Sequence, residues 1–190
     1  MDKTKQKRSF IADIKTREKE EDGKTIEGYF AVFDEETNLF DGVYEKIDRN
    51  AFNNSLDKDV RALINHESSR VLGRTKSKTL ELKADERGLY GKIKINENDQ
   101  DAMNLYERVK RGDVDQCSFG FFINSEEREE RSDGSQLYTL TDVDLFEVSV
   151  CTFPAYEATG VQARAKQIKE RKKEKLEDWK KKAKERITNA

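Results

Sequence analysis

Two side chains of this sequence could together perform nucleophilic chemistry. They are Ser118, in the segment VDQCSFGFF, and His66, in the segment ALINHESSRVLGRT. His66 is the only histidine among the 190 residues. A serine hydroxyl is a poor nucleophile until a base takes its proton, and histidine titrates closest to neutral pH. Taken alone, each residue is more often structural, so the hypothesis of an activated serine depends on the pair.

A base of this kind must be held in one tautomer by a third group, and the chain has no second histidine to offer. A carboxylate is therefore required. The segment TDVDLFEVSV supplies Asp142, Asp144 and Glu147. Regular alternation predicts that Glu147 lies among apolar neighbours, where a carboxylate needs a hydrogen-bonding partner. Glu147 is the first candidate, with Asp142 and Asp144 as rivals and a buried ion pair with Arg or Lys as the structural alternative.

Strand alternation also predicts which faces these segments present. In VDQCSFGFF, Cys117 falls on the face of Phe119 and Phe121 and is therefore the core residue. Ser118 falls on the opposite face with Gly120, whose lack of a side chain would let a substrate backbone approach. In the strand of Glu147, the same rule separates two groups of residues. The predicted groups are Leu145, Glu147, Ser149 and Cys151 on one face, and Phe146, Val148 and Val150 on the other.

The elements that must position these residues are mostly strands. RSFIADIKTR and KTIEGYFAVF are predicted to form a hairpin, and TLELKADERGLYGKIKIN a second one. DVRALINH is predicted as a strand with His66 at or near its end, on the apolar face. NDQDAMNLYERVKRG has acidic residues first, helical spacing and a final glycine, which predict a helix.

Further segments complete the predicted fold. DRNAFNNSL is predicted as a capped helical turn, and two late strands are predicted to flank a polar loop, NSEEREERSDGS. No alternating order of strands and helices indicates a parallel sheet. The predicted fold is α+β, mostly β and mostly antiparallel.

Composition divides the chain into a body, residues 1–161, and a tail, residues 162–190. The tail carries 12 Lys and Arg against 5 Asp and Glu, and the body carries 25 against 34. The tail is predicted to be a solvated helix or a disordered arm outside the core. Its alternation of Lys with Glu does not favour nucleic-acid binding.

Several other classes of protein are disfavoured. No apolar run approaches the length of a membrane span, and the start MDKTKQKRSF lacks the apolar stretch of a signal peptide, so a soluble intracellular protein is expected. The separated Cys117 and Cys151, with one histidine, predict neither a disulfide framework nor a zinc site. No phosphate-binding glycine loop is present. We expect no metal and no cofactor.

The motifs in order resemble the prohead (capsid maturation) proteases of tailed bacteriophages of the Hong Kong 97 type. The segments that carry the resemblance, over about residues 9–161, are GYFAVF, DRNAFNNSL, LINHESSRVLGRT, LELKADERGLYGKIKIN, YERVKRGDVDQCSFGF and DLFEVSVCTFPAY. This family is similar in fold to the assemblins, the capsid proteases of herpesviruses. The resemblance implies an antiparallel β-barrel with peripheral helices, followed here by a charged helical arm.

The resemblance also implies roles for individual residues. His66 would be the general base, Ser118 the nucleophile and Glu147 the replacement for the second histidine of the herpesvirus enzymes. Cys117 stands before the nucleophile, where an apolar residue is expected, and its predicted core position makes that exchange tolerable. The oxyanion hole is not identified; backbone N–H groups near Thr152 to Ala155, or beside Gly120, are the candidates.

For the whole protein the resemblance implies a serine endopeptidase that works inside the assembling prohead, in the host cytoplasm. Residues 1–161 would be its catalytic domain. Its substrates would be the scaffolding segment of the major capsid protein and the protease's own tail, and it would act as a homodimer or higher oligomer. The alternative is a non-enzymatic scaffolding or assembly protein in which His66 and Ser118 are structural.

Overall fold

The computed structural model of the chain describes residues 5–11, 14–19 and 23–153, together with residues 168, 170, 173–174 and 176–184. Within them the elements are strands, with one helix among them and a helical stretch over residues 176–184. In chain order they are β1 (Gln6–Ile11), β2 (Lys15–Lys19), β3 (Gly23–Val32), β4 (Thr37–Phe40), β5 (Val43–Ile47), β6 (Arg61–Ile64), β7 (Glu67–Arg74), β8 (Leu80–Ala84), β9 (Gly88–Lys94), α1 (Gln100–Arg111), β10 (Gln116–Glu130) and β11 (Gln136–Cys151).

The described strands form two sheets. The larger, seven-stranded sheet has the order β1-β10-β11-β5-β4, and β11 also pairs with β6, which pairs with β7. The smaller sheet has the order β2-β3-β9-β8. The predicted α+β, mostly β class is confirmed. Closure of the sheets into a barrel stays a prediction.

Only the end of RSFIADIKTR pairs with KTIEGYFAVF as the first predicted hairpin requires. β2 and β3 pair antiparallel as expected, but β1 leaves for the other sheet, where it pairs antiparallel with β10. Thus the segment RSFIADIKTR crosses from one sheet to the other. The second hairpin, β8 with β9, is confirmed.

The two long strands β10 and β11 organise the larger sheet. They pair antiparallel almost to their ends, so most of the predicted polar loop NSEEREERSDGS is strand and only residues 131–135 connect the two. Parallel pairing, which the sequence did not predict, occurs twice: β11 pairs in parallel with β5 and again with β6. The sheet is therefore mixed, and β6 lies directly beside the strand that carries Glu147.

The predicted helix is confirmed as α1. The side chain of Asp99 caps its first turn by accepting from the N–H groups of Asp101 and Ala102, and Gly112 ends it at φ 85°, a left-handed conformation that glycine adopts without cost. The segment DRNAFNNSL forms hydrogen-bonded turns over residues 49–57 that include the predicted capped helical turn: Oδ1 of Asp48 accepts from the N–H of Asn50, and the N–H of Leu56 donates to the carbonyl of Phe52.

The main core lies between the sheets and α1 and includes the aromatic side chains Phe30, Phe52, Tyr106, Phe119 and Phe121. Cys117 is fully buried with Phe119 and Phe121, as alternation predicted. One residue of the tail differs from expectation: Ile168 is buried and packs on Val43 and Tyr138 in a separate cluster. Among the described residues, no helix has the length and apolar character needed to span a bilayer.

Candidate active site

His66 lies in the two-residue turn that joins β6 to β7, not in a strand. Ile64 pairs with Glu67, and the two residues between them both have positive φ, 51° for Asn65 and 62° for His66. Turns of this kind fit the twist of a hairpin, and they require left-handed backbone at both central positions. His66 is therefore near the end of the strand with a buried side chain, as predicted, but it lies in the turn that follows the strand and not in the strand itself. The turn conformation directs its side chain toward β11.

The imidazole of His66 contacts the carboxylate of Glu147. Nδ1 of His66 lies 2.9 Å from Oε1 of Glu147, and the two side chains are 6% and 5% exposed. Burial acts to raise the pKa of Glu147, but the contacts with His66, the hydrogen bond from Ser149 and the charge of Lys7 outweigh it, so the pKa lies below its ordinary value. An ionised carboxylate only accepts hydrogen bonds, so the ring must carry its proton on Nδ1.

The other ring nitrogen of His66 is left without a partner. Nε2 is buried and has no hydrogen bond to any residue that the structure describes. With the proton on Nδ1, a neutral ring presents a lone pair at Nε2. Such an atom can take a proton from a donor that comes within reach.

Ser118 lies on the same face of the larger sheet as Glu147. It pairs with Ser149 across the β10–β11 ladder, and Gly120 pairs with Glu147. Residues paired directly in antiparallel strands project to the same face, so these four side-chain positions form one patch. Ser118 is fully buried, and its Oγ donates to the carbonyl oxygen of Arg8 in β1 at 2.8 Å. The structure thus joins His66 to Glu147, while the hydroxyl of Ser118 is bonded to β1.

The face that Gly120 presents is filled by Glu147. A Cβ built on Gly120 would lie 2.6 Å from both Cγ and Oε1 of Glu147 and 2.8 Å from the ring of Phe146. The expectation that Gly120 leaves room for a substrate backbone is therefore wrong at this point. Its missing side chain is what lets the buried carboxylate lie flat on β10.

A β-bulge at Phe146 changes the predicted faces of β11. Gly120 pairs with Glu147 but Phe121 pairs with Leu145, so one residue of β11 is skipped. Leu145 consequently belongs to the core and Phe146 is half-buried on the other side, the reverse of the prediction. The bulge lets Leu145 and Val148 both face the core while Glu147 does not.

Ser149 is a member of the site that the sequence reasoning did not single out. Its Oγ donates to Oε2 of Glu147 at 3.0 Å and the residue is fully buried. The two carboxylate oxygens are therefore held by different partners, His66 and Ser149. The signal in the sequence was present, because Ser149 is two residues from Glu147 in a strand and shares its face.

The rival carboxylates lie elsewhere. Asp144 pairs with Lys58 at 2.7 Å, and Asp142 accepts from the side-chain amide of Asn54 at 3.3 Å. Both contacts lie beside the turns of residues 49–57. Of the three carboxylates, Glu147 is the one that the structure brings to His66.

The cysteines have the character of core residues. Cys117 and Cys151 are free and buried. Burial raises the pKa of Cys117 well above its ordinary value, and burial together with the charge of Glu147 raises the pKa of Cys151 to about 12. Thiols with such values remain protonated at neutral pH and are weak nucleophiles.

One group of oxyanion candidates is occupied. The N–H of Thr152 donates to Oδ1 of Asn65 at 2.9 Å and is therefore engaged within the protein. Pro154 and Ala155 lie outside the described residues.

Strand β1, which accepts the hydroxyl of Ser118, is fastened by an ion pair. Nε of Arg8 lies 2.6 Å from Oε1 of Glu45, and its second terminal nitrogen donates to Oε2 at 3.0 Å. The Arg8 side chain is 13% exposed and that of Glu45 is 4% exposed. Two parallel hydrogen bonds of this kind define the geometry of β1 relative to β5.

The chain is similar to known proteins. Residues 12–174 match the model of the caudovirus prohead serine protease family. The prohead protease of Enterobacteria phage HK97 is 30% identical over 145 residues, which is 75% of this chain and 61% of that protein, so the chain spans less than two thirds of its relative. The structure of the capsid assembly protease of bacteriophage T4 aligns with a TM-score of 0.42 and 10% identity, over 77% of this chain and 98% of that one. The family match covers most of the chain, and the chain therefore belongs to the caudovirus prohead serine protease family.

Proposed function

We propose that this chain is a serine endopeptidase of phage prohead maturation in which Ser118 is the nucleophile, His66 the general base and Glu147 the group that orients His66. One observation carries the assignment: His66 donates from Nδ1 to the buried Glu147, and its Nε2 has no partner among the described residues. Ser118 lies on the same face of the same sheet: its pair with Ser149 is two positions along the ladder from the pair of Gly120 with Glu147.

The arrangement supports the following chemistry. Nε2 of His66 takes the proton of the Ser118 hydroxyl as Oγ attacks the scissile carbonyl. Glu147 stabilises the imidazolium that forms, and Ser149 keeps the carboxylate in place by its hydrogen bond to the second oxygen. The imidazolium then gives its proton to the leaving amine, and water releases the acyl group by the same route in reverse.

The hydroxyl of Ser118 must change partners for this reaction. It donates to the carbonyl of Arg8, so the first step exchanges that hydrogen bond for one to Nε2 of His66. A net hydrogen bond is worth only about 1 kcal/mol when another replaces it, so the exchange costs little once the two groups are within reach.

The proposed substrates are the scaffolding segment of the major capsid protein and the enzyme's own tail. The relative from phage HK97 is a prohead protease by name, which supports a role in capsid maturation. In the tail, Leu176 and Trp179 are 50% and 67% exposed within the helical residues 176–184, where a second molecule could reach the chain. The proposed site of action is the interior of the assembling prohead in the host cytoplasm, as a homodimer or higher oligomer.

A covalent serine probe tests the assignment directly. The full chain, alone and coexpressed with its capsid protein, is treated with a fluorophosphonate and analysed by intact mass and peptide mapping. We expect one adduct at Ser118, its loss in Ser118→Ala, and its near-complete loss in His66→Ala. Processing of the capsid protein should stop in both variants.

Two control variants separate the assignment from its alternatives. Ser77→Ala removes an exposed turn hydroxyl and should leave labelling and processing unchanged. Cys117→Ala should also process. If Ser118→Ala still processes, or if only Cys117→Ala stops processing, the nucleophile is misassigned. A complete lack of labelling in every assembly state would favour the non-enzymatic scaffolding protein.

A further inference from the structure

We infer that Asn65 is a positioning residue for His66. Its side-chain amide binds the backbone at the end of β11 and so sets where the imidazole lies relative to Glu147. The role in catalysis rests on the proposed function. The positioning itself is a property of the folded chain and is measured separately below.

The contacts of Asn65 with β11 are threefold. Its backbone N–H donates to the carbonyl of Val150 at 3.1 Å. Its Oδ1 accepts from the backbone N–H of Thr152 at 2.9 Å, and its Nδ2 lies 3.5 Å from Oγ1 of Thr152. Asn65 therefore binds Val150 near the end of β11 and Thr152 directly after it, three and five residues beyond Glu147.

These contacts extend the pairing of β6 with β11 past the end of β6. The parallel ladder stops at Ile64 and Val150. Beyond it the chain reverses at Asn65 and His66, so without the amide of Asn65 the described contacts of the turn with β11 would be one backbone hydrogen bond and the contact of His66 with Glu147. The amide adds a second fixed point on the residue directly before His66.

A preference for left-handed backbone does not account for this arrangement. Asparagine tolerates positive φ better than most residues, but glycine tolerates it best, and a turn alone would need no side-chain acceptor. The amide oxygen lies at hydrogen-bond distance from the Thr152 N–H, which would otherwise bond to water. The geometry thus gives Asn65 a task that the turn type does not require.

The position of this turn sets the distance of 2.9 Å between Nδ1 of His66 and Oε1 of Glu147. The ring follows the backbone of a short turn, so loosening the turn by a fraction of an ångström weakens that hydrogen bond and moves Nε2 away from the path of the serine proton. Misplacement of catalytic groups by about 1 Å can lower a rate roughly 100-fold.

The experiment compares Asn65→Gly, which keeps the backbone conformation and loses the amide, with Asn65→Asp, which keeps the acceptor oxygen. Because His66 is the only histidine, its imidazole resonances are assigned without ambiguity. Selective ¹⁵N-histidine labelling then reports the Nδ1–H signal and the tautomer in the full chain. Peptide cleavage reports kcat and KM, and fluorophosphonate labelling reports the reactivity of Ser118.

We expect the Nδ1–H signal and the single tautomer in the unmodified chain and in Asn65→Asp. We expect them to be lost in Asn65→Gly, with kcat lowered about tenfold or more and KM within about twofold. Asn65→Ser is a second variant without the amide, because a serine hydroxyl is one bond too short to reach the Thr152 N–H, and the melting temperature of each variant shows whether it folds. The inference is overturned if folded Asn65→Gly or Asn65→Ser keeps the Nδ1–H signal. It is also overturned if folded Asn65→Asp loses that signal. If the unmodified chain and all variants are inactive while the NMR signals change as expected, the proposed function is contradicted but the positioning role of Asn65 stands.

Discussion

His66 and Glu147 are 81 residues apart in the chain, and their side chains meet with Nδ1 and Oε1 at 2.9 Å. The parallel pairing of β6 with β11 brings them together, because it places Arg61 beside Glu147 and ends at Ile64, two residues before His66. The contact is shielded from water on both sides. It selects one tautomer of the only histidine and leaves Nε2 as the basic atom.

Glu147→Gln should slow cleavage strongly and leave the protein folded. An amide cannot stabilise an imidazolium as a carboxylate does, and it no longer selects one tautomer, so we expect kcat to fall by about 100-fold or more. Rates are measured with a peptide substrate, and the melting temperature is measured in parallel. Glu81→Gln, an exposed residue of β8, serves as the control. A lowered melting temperature with an unchanged kcat would mean that Glu147 is purely structural.

The same carboxylate should contribute to stability against acid. Its pKa is lower in the folded chain than the ordinary value of 4.5, so the folded state favours the ionised form. The contribution is complete above that value and is lost as the pH falls through the folded pKa. Urea unfolding of the parent and Glu147→Gln, from about pH 7 to about pH 3, should show a steeper loss of stability in the parent. If stability falls equally with pH in both proteins, Glu147 does not contribute to stability against acid.

Gly120→Ala should displace Glu147. The added Cβ would lie 2.6 Å from Cγ and Oε1 of Glu147, closer than packed atoms approach, so the Glu147 side chain must move. Overpacking of this kind costs about 1–3 kcal/mol, and here it also moves the partner of His66. Urea midpoints and peptide cleavage should both fall.

Gly134→Ala is the matched control for that variant. Gly134 has φ 82° and open space around its Cβ position, so alanine there costs about 1 kcal/mol through the backbone alone and should leave cleavage unchanged. Full activity in Gly120→Ala would show that the carboxylate has more freedom than its contacts indicate.

The thiols should be unreactive in the native protein. Both cysteines are buried, and the pKa of Cys151 is raised to about 12, so neither supplies thiolate at neutral pH. An aromatic disulfide reagent should titrate two thiols per chain only after denaturation. Rapid modification of Cys117 in the native state would restore it as a competing nucleophile.

Loss of the ion pair that fastens β1 should destabilise the chain. Arg8→Met keeps much of the side-chain length but removes the two charged hydrogen bonds to the buried carboxylate of Glu45, so we expect the free energy of unfolding to fall by about 1.5–3 kcal/mol. Adding Glu45→Gln should recover part of the loss, because the buried charge is then removed. The free energies of unfolding of the two single variants and the double variant give the coupling energy. Additive effects would show that the pair contributes no coupling.

Local patterns in the sequence determined a large part of the fold. Alternation in β10 separated the buried Cys117 from Ser118, and the capping residues and spacing predicted α1. The presence of a single histidine required a carboxylate as its partner, and burial favoured Glu147. Apart from the histidine count, these inferences depend on neighbours within a few residues, where side-chain periodicity and capping act.

The tertiary structure decided which distant segments meet. The parallel pairing of β6 and β11, the passage of β1 to the larger sheet and the bulge at Phe146 follow from packing between elements far apart in the chain. His66 lies in a left-handed turn and not in its predicted strand, and Glu147, which pairs with Gly120 across the ladder, fills the space above that glycine. Side-chain alternation predicts a face, but only strand register and backbone irregularities determine which groups share it at hydrogen-bond distance.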